Sequence, residues 1–553
     1  MRISSIPQIY RHVNRWREIL AVLSKYGLAG WLSRLEIGFA KDLLKDRDGQ
    51  ALSSHSGETR IRLAMTELGP AFIKLGQILS TRADLVGPEL AEELSLLQAD
   101  APADPPEQIR QRIEEELGRP IDEVFDSFDD EPLASASIGQ VHAAQLKSGE
   151  SVVVKVMHTD IERRVSVDLD VMSGLSQLAE KIPEFQNYRP QATFAEFRRM
   201  MRRELDFGRE LRNMDEFEKA FSSEPTVCIP KPYPEYSTDR VLTMQRLDGV
   251  KLTDVDELDR RGVDRAEVAR RGANLYLEMI FTLGVYHADP HPGNLLVLDD
   301  NVIGLLDFGM VGRIDDQLRD DFEGMMLALG SRDATHLTTL ITRIGSTPPE
   351  LDTASLSVDV TDFVTHYANQ PVDQVSLSGA LNEMTEIMRR YHIMLPARAA
   401  MLLKVIVMLE GTSRLLSPNF SLMEVMRPHQ KRMLLRRLSP ARQAKKMRRI
   451  YRELEYLAET LPRRVLDLVG QIESGRFDVH LDHRGLEPSV NRLVMGLLAS
   501  ALFLGSSLMI SREVLAVWSV SVPGACGAFV SVAMGLRLFR AIAKSGHLDR
   551  RKK

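Results

Sequence analysis

The sequence is poor in the residues that mark several common protein classes. Its 553 residues include only two cysteines, Cys228 and Cys526, and 6% aromatic residues, and its net charge is −6. The two cysteines have no metal-ligand spacing, and Cys526 lies in an apolar segment, so a disulfide framework is not expected, which suits a reducing compartment. The charge balance gives no general signal for nucleic-acid binding. No long apolar run follows Met1, so a secretory signal is not expected.

The segment 287–309 carries the strongest chemical signal. Asp289, Asn294 and Asp307 occur in it at separations of 5 and 13 positions. Protein kinases have the same order of a catalytic-loop Asp, an Asn five positions on, and the Asp of a DFG triplet. There the first Asp handles the acceptor hydroxyl, while the Asn and the second Asp hold Mg²⁺ on the ATP phosphates. Residues 295–306 predict a β-hairpin, and the alternative is a polar loop between strands that has no chemical role.

Residues 151–156, SVVVKV, predict a strand with Lys155 among β-branched side chains. Burying a lone ammonium group is costly, so Lys155 needs an anionic partner. In kinases the partners are the nucleotide phosphates and a glutamate on a helix. Residues 141–146 can pair with this strand as a hairpin. The alternative is an edge strand that leaves Lys155 in solvent.

The segment 132–140, PLASASIGQ, stands where a kinase carries its glycine-rich phosphate cover. Gly139 is its only glycine, and the remaining small positions are Ala134, Ser135, Ala136 and Ser137. Alanine resists the positive φ values that let a glycine loop fold tightly over phosphates. We therefore expect the nucleotide to sit differently, or the loop to move differently, from a standard kinase.

Two further motifs lie outside the kinase signature. Lys74-Leu75-Gly76-Gln77 matches KxGQ, and Glu204-Leu205-Asp206 matches ExD. With the features above, the chain resembles the UbiB family of atypical kinases, also called the ABC1 or aarF-like family, from about residue 60 to about residue 430. The resemblance implies that Lys74 and Gln77 face Glu204 and Asp206 in the active site, over the place where a protein substrate would bind. Gly76 is expected to let this helix lie close to another backbone. Alone, the KxGQ segment would predict an ordinary amphipathic helix with a solvated lysine.

The resemblance also assigns residues around the nucleotide. Glu210 fits the glutamate that pairs with Lys155, and the alternative for it is a solvated helix face. Gln245 stands where the family usually carries Glu, in the segment beside the adenine, and this departure affects a hinge contact rather than the fold. No convincing APE motif follows DFG, which argues against ordinary docking of a protein substrate.

Two long apolar runs lie near the C-terminus. Residues 493–510 and 514–536 carry no charge, and their lengths suit membrane helices of about 17–25 residues. A buried helical hairpin of a soluble domain is the alternative. Pro523 is expected to kink the second helix. Basic residues flank both ends of the pair, which places both ends on the cytoplasmic side.

Two other segments have membrane-facing interpretations. Residues 427–452 carry basic side chains and no acid, so they can lie on an anionic lipid surface, with about 1 kcal/mol for each basic residue near it. A solvated linker is an equal alternative, and nucleic-acid binding is disfavoured because aromatic residues are not interleaved. The N-terminal segment to about residue 45 predicts an amphipathic helix that could touch a membrane.

The predicted fold class is α+β: a two-lobed protein-kinase-like fold with an added N-terminal helical KxGQ extension and a C-terminal transmembrane helical hairpin. The length predicts several units, since domains usually have about 100–200 residues. The expected units are a helical extension (1–60), the KxGQ segment (61–125), the small lobe (126–250), the helical large lobe (251–430), a basic linker (431–490), two transmembrane helices (491–540) and a basic tail (541–553).

The resemblance implies a membrane-anchored atypical kinase or ATPase that binds Mg²⁺ and ATP, in a bacterial-type inner membrane with its kinase-like domain facing the cytoplasm. Asp307 and Asn294 would hold Mg²⁺, Lys155 the phosphates, and Asp289 would act as base or position a water. The implied role is ubiquinone biosynthesis, through ATP hydrolysis coupled to lipid precursors or partner enzymes. A true protein or small-molecule kinase, and a nucleotide-sensing scaffold without turnover, stay open as alternatives.

Overall fold

The computed structural model describes residues 12–28, 55–97, 102–182, 188–370, 376–429, 486–512, 516–517 and 520–544, with short helical pieces between 440 and 461. Contacts divide the chain into two units, Met1–Ser439 and Pro440–Lys553. The first unit contains the N-terminal helices and the segments that were predicted to form the two kinase-like lobes. The second unit contains the two apolar helices.

The first unit combines helices with two main sheets and a short strand pair. Its strands are Phe125–Phe128 (β1), Ala134–Ser135 (β2), Gly139–Leu146 (β3), Ser151–Met157 (β4), Val227–Cys228 (β5), Val241–Gln245 (β6), Val250–Lys251 (β7), Val285–His287 (β8), Leu295–Val297 (β9), Ile303–Leu305 (β10) and Val311–Arg313 (β11). Its helices in the N-terminal half are Val13–Lys25 (α1), Gly57–Leu68 (α2), Pro70–Leu79 (α3), Ala83–Val86 (α4), Pro88–Ser95 (α5), Pro106–Leu117 (α6), Ile121–Val124 (α7), Ile161–Ala179 (α8), Pro190–Glu204 (α9) and Phe207–Phe221 (α10). The larger lobe adds Val255–Arg260 (α11), Arg265–Glu278 (α12), Asp316–Gly330 (α13), Ala334–Ile344 (α14), Thr353–Ala368 (α15), Leu377–Arg390 (α16) and Ala397–Leu416 (α17).

The sheet of the small lobe is antiparallel, in the order β1-β3-β4-β6, with β2 paired to β3. The predicted hairpin of β3 and β4 is present and pairs from Gly139 opposite Met157 to Gln145 opposite Ser151. Val152, Val154 and Val156 are fully buried on one face of β4. Successive side chains of a strand point to opposite faces, so Lys155 lies on the other face of the sheet.

The sheet of the large lobe has the order β5-β10-β9-β7. The predicted hairpin at residues 295–306 is present, with β9 antiparallel to β10 and the turn Asp299–Asn301 between them. A second antiparallel pair, β8 and β11, holds the chain on either side of the kinase-like motif residues. The hairpin therefore positions Asn294, just before β9, and Asp307, two residues after β10, at the same end of the strand pair.

Helix α1 packs into the protein core. Trp16, Ile19 and Leu20 on this helix are buried, and Arg15 Nε donates to Asp168 Oδ1 of α8 at 2.6 Å. The apolar face that suggested a membrane contact is therefore covered by protein. Residues 29–45 of the predicted amphipathic segment lie outside the described residues.

The second unit contains two apolar helices, Leu486–Ser511 (α18) and Val522–Lys544 (α19), joined through strands Ala516–Val517 (β12) and Val520–Ser521 (β13). Spans 492–511 and 522–540 are long and apolar enough to cross a membrane, and 11% of each is buried within the protein. The second helix begins at Val522 and not at residue 514, because the paired strands β12 and β13 lie in the first part of the apolar run. Pro523 lies in the first turn, where its missing N–H has no partner to lose, so the predicted kink is wrong. Most of the basic stretch 427–452 lies outside the described residues.

Candidate nucleotide and phosphoryl-transfer site

Lys155 of β4 pairs with Glu210 of α10. Lys155 Nζ donates to Glu210 Oε2 at 2.8 Å and to Oε1 at 3.1 Å, and Glu210 is 3% exposed. The same nitrogen lies 3.8 Å from Asp307 Oδ1. The anionic partner expected from the position of Lys155 in the strand is therefore a glutamate on a helix, with a second carboxylate within reach.

Helix α10 connects this ion pair to the DFG segment. Asn213 lies one turn after Glu210, and its Nδ2 donates to the carbonyl oxygen of Phe308 at 3.0 Å. Two turns after Glu210, the Phe217 ring packs on the Phe308 ring with centroids 5.3 Å apart. Residues at this spacing share one face of a helix. A single helix face thus positions both the partner of Lys155 and the residue that follows Asp307.

The catalytic-loop residues are held by a buried histidine. His287 is fully buried, and its Nε2 lies 2.9 and 2.8 Å from the carbonyl oxygens of Leu306 and Asp307. Those two acceptors require a proton on Nε2, which leaves Nδ1 to accept, at 3.4 Å, the backbone N–H of Asp289. One imidazole ring therefore fixes the distance between the Asp289 loop and the DFG segment.

The three residues of the predicted kinase-like set come together. Asn294 Nδ2 donates to Asp289 Oδ2 at 2.8 Å, and the backbone N–H of Gly309 donates to Asp307 Oδ1 at 3.1 Å. Asp307 has a left-handed φ of 56°, which is uncommon for a residue other than glycine. Its side chain stays 53% exposed, so a metal ion can reach the carboxylate.

Burial and neighbouring charges shift the pKa values of Asp307, Lys155 and Glu210. The Lys155 charge lowers the pKa of Asp307 to about 2 against the effect of burial, and Lys74 and the Gly309 amide act in the same direction. Burial alone would lower the pKa of Lys155, but Asp307 and Glu210 outweigh it and raise that pKa. Burial raises the pKa of Glu210, while the attraction of Lys155 opposes it. Asp307 is therefore ionised at neutral pH, which its predicted role in metal binding requires.

One predicted contact between the KxGQ and ExD motifs, the ion pair of Lys74 with Glu204, is present. Lys74 Nζ lies 2.9 Å from Glu204 Oε1. Burial lowers the pKa of Lys74, but Glu204, Asp307 and Asp289 outweigh it and raise that pKa. A Cβ built on Gly309 would lie 3.7 Å from Glu204 Oε2. Lys74 and Glu204 therefore lie at the edge of the catalytic centre.

The other two members of these motifs have different partners. Gln77 Nε2 donates to the carbonyl oxygen of Leu97 at 3.1 Å, so it ties α3 to the residues that follow α5, and among the described residues it forms no side-chain hydrogen bond to the ExD motif. Asp206 caps the N-terminus of α10 by accepting the Arg209 N–H at 2.8 Å. Its other oxygen accepts from Arg212 Nη2 at 3.2 Å. The first turn of a helix leaves backbone N–H groups without partners, and this capping role explains the position of Asp206.

Gly76 serves side-chain packing and not the approach of a second backbone. A Cβ at Gly76 would overlap Leu97 Cδ1 and lie 2.9 Å from Met65 Sδ. Leu97 is 5% exposed. The expected close backbone approach is found instead at Gly139, where a Cβ would overlap the carbonyl oxygen of Val156 on β4.

The alanine- and serine-rich cover forms an ordinary strand and turn. Ala134 and Ser135 pair with β3, and none of Ala134, Ser135, Ala136 and Ser137, all of which the structure describes, has a positive φ. The Ala136 carbonyl oxygen lies 2.8 Å from His158 Nε2. Residues with a Cβ therefore fit this loop without strain.

Gln245 ends β6 with an exposed side chain. Its Oε1 accepts the backbone N–H of Lys231 at 3.3 Å. Its own backbone N–H donates to the Lys231 carbonyl oxygen at 2.9 Å. The side chain of Gln245 is thus used in the neighbouring backbone.

Two residues of the site, the buried His287 and the partly buried Lys404, were not predicted from the sequence. His287 opens the HADPHPGN motif, and its position two residues before Asp289 was a usable signal. Lys404 is a single lysine in the apolar run AAMLLKVIVML, and its Nζ donates to Ser80 Oγ at 3.1 Å. A lone charge in an apolar helix was the signal for Lys404, but its partner lies 324 residues away.

Three family models match successive parts of this chain. A model of the ABC1 atypical kinase-like domain matches residues 96–341, a UbiB helical domain matches residues 360–421, and an ABC1/UbiB kinase-like C-terminal domain matches residues 480–544. A Xanthomonas campestris protein named probable protein kinase UbiB is 32% identical over 484 residues, 85% of this chain and 86% of its own. A Shewanella loihica protein of the same name is 34% identical, over 73% of this chain and 74% of its own.

Among solved structures, a Mycobacterium tuberculosis protein in complex with erythromycin covers 64% of this chain and 90% of its own, with 23% identity and a TM-score of 0.47. The family assignment rests on the domain matches and on the two relatives named UbiB, each of which covers most of this chain. The chain belongs to the UbiB (ABC1) family and has its mixed helix and strand, kinase-like fold.

Proposed function

We propose that this chain is a membrane-anchored atypical kinase or ATPase that binds Mg²⁺ and ATP and supports ubiquinone biosynthesis. The observation that carries the proposal is the position of the Lys155 amine, 2.8 Å from Glu210 and 3.8 Å from Asp307. This arrangement suits a lysine that holds nucleotide phosphates beside a metal-binding carboxylate. The family's link to ubiquinone supplies the biological role.

The residues of the site fit Mg²⁺ and the nucleotide phosphates. The carboxylate of Asp307 and the side-chain oxygen of Asn294 are hard oxygen donors, and Mg²⁺ binds through one or two such ligands together with phosphates and water. Ser135 Oγ of the phosphate cover is buried and has no hydrogen-bond partner among the described residues. A buried hydroxyl without a partner is costly, so a phosphate oxygen at this point would relieve that cost.

Bound Mg²⁺ would supply the charge that neutralises the phosphate oxygens as phosphoryl transfer proceeds. Lys155 would hold the phosphates, and Glu210 keeps its amine in place. Asp289 would orient the acceptor and take its proton, and its position is fixed by Asn294 and His287. The proton taken up by Asp289 belongs either to a hydroxyl group or to a water.

The acceptor side of the site favours a small acceptor or water. Lys74 and Glu204, which are 12% and 16% exposed in their side chains, form an ion pair beside the DFG glycine. A protein segment would have to displace this pair before its hydroxyl could reach Asp289. ATP hydrolysis coupled to a lipid precursor or to a partner enzyme is therefore the activity that we propose first.

The two apolar helices support a membrane anchor. Their spans of 20 and 19 residues have mean hydropathies of 2.1 and 1.5, and only 11% of each is buried. Arg492 is the first residue of the first apolar span, and Arg537 and Arg540 lie near the end of the second, which favours a cytoplasmic location for both ends. We propose the bacterial inner membrane, with the kinase-like unit facing cytoplasmic ATP.

The test is phosphate release from ATP by the full-length protein in liposomes with anionic lipid and Mg²⁺, compared with Asp307→Asn. We expect turnover that lipid stimulates and that Asp307→Asn abolishes, because the amide removes the negative charge that holds the metal. Asp300→Asn is the matched control, since it makes the same chemical change on the exposed turn between β9 and β10. Tight nucleotide binding without turnover in the unmodified protein would refute the enzyme and favour a nucleotide-sensing scaffold.

A further inference from the structure

Lys404 brings a third lysine to the catalytic cleft. It lies on α17, and its Nζ donates to Ser80 Oγ, which follows the KxGQ helix α3, at 3.1 Å. Two turns further along α17, Thr412 Oγ1 donates to the carbonyl oxygen of Pro290, next to Asp289, at 3.0 Å. Helix α17 therefore packs against both the KxGQ segment and the catalytic loop, and the charges of Asp289 and Lys74 both act on Lys404.

Lys404 differs from the other two lysines of the site in its partners. Lys74 pairs with Glu204, and Lys155 pairs with Glu210 and Asp307. Within the described part of the chain, no carboxylate oxygen lies within 4.0 Å of the Lys404 amine. Burial lowers the pKa of Lys404, Asp289 opposes that effect and Lys74 adds to it. Lys404 is partly buried, and an ammonium group that loses hydration without gaining an anion is destabilised, so this site gains stability when an anion arrives.

The catalytic loop itself offers no cation for that anion. Residues 289–294 read DPHPGN and contain no lysine or arginine. The histidine of the loop, His291, is exposed, and its Nδ1 accepts the N–H of Gly293 at 3.1 Å. Lys155 approaches Asp307 from β4 of the small lobe. Enzymes that transfer phosphoryl groups need cations around the charge that develops on the transferred group.

We propose that Lys404 is a catalytic residue that binds the oxygens of the transferred γ-phosphoryl group from the large-lobe side of the cleft, with Ser80 positioning its amine. This inference rests on the proposed function, since it assumes a nucleotide at Lys155. The ligand chemistry is a phosphoryl oxygen anion, from ATP during transfer or from phosphate after it. The Ser80 hydroxyl donates to the Gln77 carbonyl oxygen at 2.6 Å, so its lone pairs are free to accept from Lys404.

The experiment uses the full-length protein in liposomes and two readouts. The first is the affinity for a fluorescent ADP analogue with Mg²⁺, measured without and with fluoroaluminate, which mimics the transferred phosphoryl group. The second is kcat for phosphate release. The variants are Lys404→Met, Ser80→Ala and the control Arg398→Met, which changes an exposed cation on the same helix.

We expect Lys404→Met to bind Mg–ADP as the unmodified protein does, to lose the tightening by fluoroaluminate, and to show a kcat lower by about 100-fold, the size of effect seen when one donor to transition-state charge is removed. Its thermal midpoint should not fall, because methionine replaces a partly buried ammonium group that has no carboxylate partner. Ser80→Ala should lower kcat less, since the amine remains. Arg398→Met should change neither readout.

Two results would overturn the proposal. Equal tightening by fluoroaluminate and equal kcat in Lys404→Met would show that the amine does not touch the phosphoryl group. A fall in thermal midpoint and in Mg–ADP affinity together would make Lys404 a structural link between α17 and α3. A failure of the unmodified protein to bind Mg–ADP is a separate outcome: it would refute the proposed function, and this inference with it.

Discussion

Replacing Lys155 by methionine leaves the buried Glu210 without its partner, and the structure limits how much that can destabilise the fold. Glu210 is 3% exposed and receives both of its hydrogen bonds from Lys155. Removing one partner of a buried pair costs about 3–5 kcal/mol when the remaining group keeps its charge. Glu210 can instead take up a proton, and methionine then packs against a neutral carboxyl group.

The cost of that protonation depends on pH. It is set by the difference between the pH and the pKa of glutamate in the unfolded chain, about 4.3, at about 1.36 kcal/mol per unit. Near pH 7 the difference is about 2.7 units and the ceiling is about 3.7 kcal/mol, whereas near pH 5.5 it is about 1.2 units and the ceiling is about 1.6 kcal/mol. The folded variant holds a proton that the unfolded chain releases, so its stability falls as pH rises.

Urea denaturation monitored by tryptophan fluorescence measures the effect. Trp16 is 1% exposed in the first unit, and it becomes the only tryptophan when Trp31 and Trp518 are replaced by phenylalanine. We expect Lys155→Met to lose free energy of unfolding within the ceiling at pH 7 and clearly less at pH 5.5. Adding Glu210→Gln should recover part of the loss at pH 7, because the buried amide needs no proton.

Lys147→Met is the control, since Lys147 lies in the exposed turn between β3 and β4 with a side chain 52% exposed. An exposed ion pair is worth about 0–1 kcal/mol, so this variant should show little change at either pH. A destabilisation by Lys155→Met that is equal at pH 7 and pH 5.5, or well above 3.7 kcal/mol, the ceiling worked above from about 1.36 kcal/mol per unit, would refute rescue by protonation.

Two further predictions concern the acceptor side and the strand pair behind it. Lys74→Ala removes the partner of Glu204 and opens the acceptor side, so we expect several-fold more phosphate from labelled ATP to be incorporated into the chain itself; unchanged incorporation would contradict a blocking role for the KxGQ helix. Gly312→Ala places a Cβ on the ring of the cross-strand neighbour Tyr286, which is 1% exposed, and should lower the free energy of unfolding by about 1–3 kcal/mol. The control in urea denaturation is Gly330→Ala, where nothing lies within 4 Å of the added Cβ. An equal midpoint in both variants would contradict this reasoning.

The kinase-like set was predictable because its geometry is local. Asn294 and Asp307 leave the two ends of one hairpin, so the turn chemistry at residues 299–301 and the two short strands nearly determine their separation. The alternation of β4 likewise determined that Lys155 points away from Val154 and Val156. These features depend on the periodicity of strands and on a short turn, which the sequence states directly.

The partners of the motif residues were only partly predictable. Lys74 and Glu204 meet as the family resemblance implied, but Gln77 bonds to the Leu97 backbone and Asp206 caps α10. Both motifs contain polar residues at close spacing, and a helix turns successive residues to different faces. Which of these residues reach the active site therefore depends on the tertiary structure and could not be predicted from the motifs alone.

Four features could be predicted from the sequence alone: the small-lobe hairpin, the strand that carries Lys155, the kinase-like set of Asp289, Asn294 and Asp307, and the two apolar helices near the C-terminus. Each follows from strand or helix periodicity, turn residues or composition over a short window. The contacts between distant segments became known from the tertiary structure alone, and the contact of Lys404 with Ser80 is the clearest example. Such contacts depend on how separate helices pack, and local patterns carry no record of that packing.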